Sequence, residues 1–177
     1  MFARPDARHH QIAYVTNDLD AAVALFERDY GATGFFIFSN VGSGAHQPGE
    51  PELRIALSNV GGNEIELIEP IGDTAPLFKD LLPRAGAGDD TELVIRFHHI
   101  CIRIEGDIDN WNAHAASIDT VKHPIVFSGA MADDMRFFYT DETQRLGHYV
   151  EHVWMSPAIM TQLRSVIPRY PAQEQTT

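Results

Sequence analysis

The chain holds one cysteine in 177 residues, Cys101, so no disulfide can form within it, and a reducing compartment is the expected setting. Basic residues are few: 13 Lys and Arg stand against 25 Asp and Glu, a formal charge of −12. Nucleic acid and anionic membranes need a basic face, and this balance argues against both. No apolar run approaches the length that spans a bilayer. The opening Met1-Phe2-Ala3-Arg4-Pro5-Asp6 has no apolar stretch, so no signal peptide is expected and the cytoplasm is the predicted location. What is present is ordinary for a folded domain: 44% hydrophobic and 21% charged residues, with ample length for a core.

The chain also repeats itself. His10-Gln11-Ile12-Ala13 runs into Asp18-Leu19-Asp20, and His98-His99-Ile100-Cys101 runs into Asp107-Ile108-Asp109. Gly62-Asn63-Glu64-Ile65-Glu66 has its counterpart in Gly147-His148-Tyr149-Val150-Glu151. Gln11 and His99 are 88 positions apart, and Glu66 and Glu151 are 85 apart. Ligand-capable side chains returning at matched points suggest two half-sites around one centre, with Gln11, Glu66, His99 and Glu151 as candidate donors to a divalent metal.

Periodicity gives each half the same order of elements. The first reads as a strand over Gln11–Thr16, then a helix over Leu19–Tyr30 capped by Asn17 or Asp18. A strand from Phe35 to Phe38 follows, and then a hairpin of Arg54–Val60 and Glu64–Ile68 around Gly61-Gly62. Asn40–Pro51 reads as a mobile loop. The second half reads as a strand over Leu93–Ile104, a helix over Asp107–Ile118, and strands over Val121–Phe127, Met135–Thr140 and Gly147–Met155. The expected division is residues 9–70 as the first module, 71–92 as a connector with a short amphipathic piece at Pro76–Leu82, and 93–155 as the second module. Residues 156–177 form an extension with a helix over Ala158–Val166 and a disordered tail from Gln173.

Strand alternation separates two faces. Gln11, Ala13 and Val15 share one, Glu64 and Glu66 another, His99, Cys101 and Arg103 a third, and Tyr149, Glu151 and Val153 a fourth. Each opposes a mostly apolar face fit to pack under a helix. Taken singly, Gln11 and Glu66 read as solvent-facing strand residues, and His98 and His99 as core histidines; the conjunction at repeat-matched positions is what points to a metal. His10 competes with Gln11 for the first position, but the spacing to Asp18-Leu19 puts Gln11 in register. Arg103 can hold a substrate carboxylate or phosphate, or pair with Glu64 or Glu66. Tyr149 and Cys101 are candidate cavity-lining residues.

These residues, from Gln11-Ile12-Ala13-Tyr14-Val15 through Glu64–Pro70 and His98-His99-Ile100 to Gly147–Glu151, resemble the vicinal oxygen chelate superfamily, over roughly residues 9–155. That superfamily includes glyoxalase I, methylmalonyl-CoA epimerase, extradiol dioxygenases and bleomycin-resistance proteins. The resemblance implies an α+β fold of two βαβββ modules forming a cupped, barrel-like mixed sheet with helices outside. It implies metal ligands at Gln11, Glu66, His99 and Glu151, and a homodimer. A donor set of three oxygen ligands and one imidazole suits zinc, nickel, cobalt, manganese or magnesium with open coordination positions. The chemistry implied is that of a lyase or isomerase: Lewis-acid polarisation of a small carbonyl compound, with Glu151 as base and Glu66 as second choice. Ile65–Pro70 is similar to the epimerase sequence at that point, so an acyl-CoA epimerase is the near alternative. A non-catalytic binding protein is a further one. An extradiol dioxygenase ranks lower, because Gln11 stands where a histidine is needed. The basic residues that grip glutathione are not recognisable, so the resemblance does not extend to glutathione as substrate.

Overall fold

A computed structural model describes residues 6–40, 51–72, 76–83 and 92–171 of the chain. The Gly- and Pro-rich stretch 41–50, parts of the expected connector (73–75 and 84–91) and the tail from Gln173 lie outside the described residues. The βαβββ order occurs twice. It runs β1 (Ala7–Thr16), α1 (Leu19–Asp29), β2 (Phe36–Ser39), β3 (Glu52–Val60) and β4 (Asn63–Ile71). After α2 (Pro76–Lys79) come β5 (Ile95–Ile104), α3 (Ile108–Ala116), β6 (Ile125–Met131), β7 (Met135–Asp141), α4 (Thr143–Leu146) and β8 (Tyr149–Met155). Helix α5 (Pro157–Val166) and a two-residue strand β9 (Arg169–Tyr170) are the last elements among the described residues. Strand neighbours run β2-β3-β4-β1 in one set and β5-β8-β7-β6 in the other. The chain divides into two compact units: Met1–Gln11 with His99–Val166, and Ile12–His98 with Ile167–Thr177. The division falls inside β1, between Gln11 and Ile12, and inside β5, between the two adjacent histidines.

In the unit built on residues 12–98, Asp18 caps α1 by accepting from the Ala21 N–H at 2.9 Å. Leu19, Ala22 and Phe26 lie on one stripe of that helix and bury against Ala56 of β3 and Leu67 of β4. Ile65 joins them from β4, which turns Glu64 and Glu66 to the opposite face, as alternation requires. The β3–β4 hairpin closes at Val60↔Asn63 through Gly61 (φ +61°) and Gly62 (φ +88°), left-handed positions that glycine adopts without strain. Arg54 ties β3 to both neighbours, pairing with Glu69 at 2.7 Å and with Asp20 of α1 at 3.0 Å.

In the other unit β5 and β8 pair in parallel, and β8, β7 and β6 pair antiparallel. Asp107 caps α3 in a reciprocal box with Asn110. Trp111 packs with Ile102, Ile104, Phe138, Val150 and Trp154. The indole of Trp154 donates to the Gly106 carbonyl at 3.0 Å, which satisfies its one polar atom. His114 and His152 are buried on this same side, joined Nε2 to Nδ1 at 2.9 Å. The opposite face of the strands carries Cys101, Val153 and Met155, and α5 packs on it through Ile159, Met160 and Leu163.

Two expectations need correction, and two short elements were unforeseen. The strand expected at Val121–Phe127 begins only at Ile125, because the Asp119 carboxylate accepts from the backbone N–H of Val121 and Lys122 and holds that stretch in a turn. The strand expected from Gly147 begins at Tyr149; Gly147 ends the unforeseen helix α4 at φ +78°. Strand β9, which pairs with β3 in parallel, was not anticipated. Among the described residues no helix is long and apolar enough to cross a membrane.

Candidate functional site

The candidate residues of the unit containing β5 and β8 converge by strand register. Cys101 stands opposite Glu151, His99 opposite Tyr149 and Arg103 opposite Val153. In β7, Tyr139 stands opposite Glu151 on its other side. Residues opposite one another share a face. Buried His99 brings its Nε2 to 3.5 Å from Glu151 Oε2, and Tyr139 meets the imidazole edge to face with centroids 5.0 Å apart. His99 is 0% exposed and Glu151 6%, so both lie out of bulk water.

Burial alone would raise the Glu151 carboxyl. The hydrogen bond and charge of His99, the Cys101 thiol and nearby His10 outweigh it and hold the group below the ordinary carboxylate range. Glu151 is thus an anion at neutral pH, competent as a ligand and as a proton acceptor. His10 acts on the same group from β1. Burial first, and then Arg103, press its ring down to about 4, with Glu151 pulling the other way. Gln11 is also buried, at 6% exposure.

Arg103 is engaged within its own unit. One guanidinium nitrogen donates to Glu105 Oε1 at 3.2 Å, and the other meets Met160 Sδ at 3.7 Å. Glu105 in turn reaches Arg8 at 3.4 Å. Cys101 is fully buried and Tyr149 half-buried. Glu66 belongs to the other compact unit, where it is 9% exposed beside Glu64 at 7%. Neighbouring His98 is structural: its Nε2 donates to the Leu77 carbonyl at 3.0 Å and its ring stacks on Phe78.

The His99–Glu151 pair can be tested against a metal on donor geometry. Two donors bound at about 2.1 Å and tetrahedral angles lie roughly 3.4 Å apart. The observed 3.5 Å fits two adjacent positions of such a shell. Among the described residues no cluster of three or more histidine, cysteine, aspartate or glutamate side chains forms a cation cage. Gln11, the position the repeat assigns, is a buried amide on this same unit. Tyr139 and Met160 were not singled out in the sequence. Alternation puts Phe137 and Tyr139 on one face of β7, which could have pointed to Tyr139, but nothing local places Met160 on this face.

The family model of the Glyoxalase/Bleomycin resistance protein/Dioxygenase superfamily matches residues 10–139. No curated protein matches the sequence. Among solved structures, the methylmalonyl-CoA epimerase of Mycobacterium tuberculosis is similar with a TM-score of 0.58 at 14% identity, over 91% of this chain and 97% of that one. A variant Streptomyces coelicolor methylmalonyl-CoA epimerase in complex with 2-nitronate-propionyl-CoA gives 0.54 at 22% identity, over 85% and 95%. A methylmalonyl-CoA epimerase in complex with methylmalonyl-CoA and NH4+ gives 0.53 at 21%, over 85% and 96%. At these identities the likeness is one of fold.

Proposed function

Because this chain belongs to the Glyoxalase/Bleomycin resistance protein/Dioxygenase superfamily, we propose that it is a metal-dependent lyase or isomerase acting on a small carbonyl compound by proton transfer. The observation that carries the reading is the buried pair of His99 and Glu151, 3.5 Å apart on one strand face. His99 and Glu151 would hold a divalent cation, with Gln11 and Glu66 as the remaining donors that the repeat assigns. The cation would supply Lewis-acid polarisation of a carbonyl oxygen. Glu151, an anion in a site shielded from water, accepts the proton from the carbon beside that carbonyl. Glu66 is the second candidate for that role. Tyr139 holds the imidazole plane, and Cys101 holds the carboxylate.

A second reading keeps the proton transfer and changes the substrate. The solved relatives in complex with propionyl-CoA and methylmalonyl-CoA compounds favour an acyl-CoA epimerase. Both readings share one test. Metal content is measured by elemental analysis for the wild type, Gln11→Ala, Glu66→Ala, His99→Ala and Glu151→Ala. Solvent deuterium exchange into 2-oxo acids and methylmalonyl-CoA is then followed by NMR for the wild type and Glu151→Gln. The expected result is near-stoichiometric metal, lost in His99→Ala, and exchange that Glu151→Gln abolishes while the fold persists. Exchange that survives in Glu151→Gln removes it as the base. No bound metal after reconstitution would leave a binding protein as the better reading. A homodimer, proposed on the superfamily's habit, is checked by light scattering.

A further inference from the structure

Strand β6 stands at the end of its set, and among the described residues it pairs antiparallel with β7 and with no other strand. Its seven residues, Ile125–Met131, include no charged side chain and no proline, two devices that keep an edge from recruiting another strand. A bulge falls at Val126, and from Phe127 to Met131 the register with Tyr139 to Met135 is regular. The Met131 carbonyl turns into the hairpin, where it accepts from the Asp134 N–H at 3.0 Å. The N–H and C=O of an antiparallel strand residue point the same way, and the direction alternates along the chain. Gly129 and Phe127 therefore bond inward to β7, and Ala130 and Ser128 point outward. Among the described residues no group outside the β6–β7 ladder bonds to Ser128 or Ala130.

The edge is also apolar: Ile125 is 41% exposed, Val126 45% and Met131 45%. What completes such an edge is another strand, and this one suits itself. An antiparallel pair about a two-fold axis at Ser128 sets Phe127 against Gly129, Val126 against Ala130 and Ile125 against Met131 of the second copy. Ser128, an outward residue, then exchanges both bonds with its own mate. Carried past the strand ends, the same register brings Lys122 to the end that holds Asp133 and Asp134 of the second copy, twice by symmetry. Lys122 and Asp133 are exposed, and each holds an i,i+3 ion pair at home, with Asp119 at 3.0 Å and with Arg136 at 3.3 Å, contacts worth little on a surface. A pair centred on Gly129 would set Lys122 against Arg136 instead. Charge therefore selects Ser128 as the centre.

We propose that β6 is the seam of a homodimer, in which two copies of the chain join edge to edge through antiparallel β6 strands centred on Ser128. The seam satisfies the outward backbone groups of Ser128 and Ala130, and covers Ile125 of each copy with Met131 of the other. Lys122 and the Asp133–Asp134 pair close both ends. This assigns a surface to the homodimer proposed above, and it rests on no part of the metal or proton-transfer reading.

The test uses the full-length chain in solution. Analytical ultracentrifugation over a dilution series gives the dimer Kd for wild type, Ala130→Pro, Ser128→Lys, Lys122→Glu, and Lys122→Glu combined with Asp133→Lys, each checked for folding by circular dichroism. The wild type is expected to be a dimer. Ala130→Pro removes an outward donor at two symmetry-related points and leaves the β7 ladder whole, so it should weaken the dimer by roughly tenfold to a hundredfold. Ser128→Lys opposes two like charges across the axis, and supplies the measurement if Ala130→Pro does not fold. Lys122→Glu should weaken the dimer roughly fivefold, and adding Asp133→Lys should restore it. Directly opposed residues hold their Cα atoms about 5.5 Å apart, within disulfide reach, so Ser128→Cys should give a disulfide-linked dimer on mild oxidation. The wild type, whose one cysteine is the buried Cys101, should not. A monomeric wild type, which leaves the edge to a strand of another protein or to none, overturns the proposal and the homodimer with it. A dimer that survives both Ala130→Pro and Ser128→Lys, or that fails to cross-link through Ser128→Cys, overturns the seam alone and leaves a homodimer joined elsewhere.

Discussion

Lowering the pH from 8 to 5 is expected to destabilise the protein through His152, by an amount the structure sets. The ring is 0% exposed, stacks on Phe138 with centroids 4.7 Å apart, and shares its Nδ1 with His114 Nε2 at 2.9 Å. One of those nitrogens must donate and the other accept, so a second proton would set two N–H groups against each other. Burial first, and His114 second, lower the His152 pKa from 6.5 to about 3. The sign follows from linkage. The folded state keeps the ring neutral, whereas the unfolded chain protonates it below 6.5, so the contribution is whole above pH 6.5 and is lost as pH falls from there towards 3. At pH 5 the unfolded state gains about 2 kcal/mol from this proton and the folded state almost nothing, so stability drops by about 2 kcal/mol relative to pH 8. Urea unfolding followed by circular dichroism at pH 8, 6.5 and 5 reads this directly. His152→Leu lowers stability at every pH, but its loss between pH 8 and 5 should be smaller than that of the wild type by about 2 kcal/mol. An equal loss in both proteins would show that the ring is already protonated, or hydrated, in the folded state.

Three further outcomes are expected. Asp107→Ala removes the acceptor for the Asp109 and Asn110 N–H groups, costs about 1 kcal/mol and lowers the calorimetric Tm by about 2–4 °C. Gly147→Ala meets no atom within 4 Å, so its cost is only that of a side chain at φ +78°, about 1–2 kcal/mol by denaturant unfolding, and a neutral result would show the turn has moved. Zinc at a hundred times its Kd should stabilise the protein by about 2.7 kcal/mol in thermal melts, and this gain should vanish in His99→Ala but persist in His98→Gln.

The two adjacent histidines show why part of this was readable and part was not. Alternation makes neighbours on a strand face opposite ways, so once His99 was matched to Gln11 by the repeat, His98 had to point elsewhere. The structure turns it to Phe78 and the Leu77 carbonyl. The same logic turned Glu64 and Glu66 away from the α1 core and put Cys101 on the face of His99, whereas its register opposite Glu151 is set by the β5–β8 pairing that alternation does not give. The α1 cap was legible only as Asn17 or Asp18; the structure assigns it to Asp18, three residues before the N–H it accepts from. What escaped was set by contacts distant in sequence or by elements too short for a period. Helix α4 has four residues and β9 two, less than any periodic signal needs. Helix α5 was visible as a helix, since Ile159, Met160 and Leu163 make an apolar stripe at helical spacing, but a stripe does not say what it covers. Either sheet face of the unit would bury it equally well. The choice was made by the α3 side being filled with Trp111, Trp154 and Phe138, which left Cys101, Val153 and Met155 as the uncovered apolar surface. Of those three, Cys101 stands opposite Glu151, so the helix that finishes the core packs beside the candidate base, and substitutions that repack it are expected to lower stability.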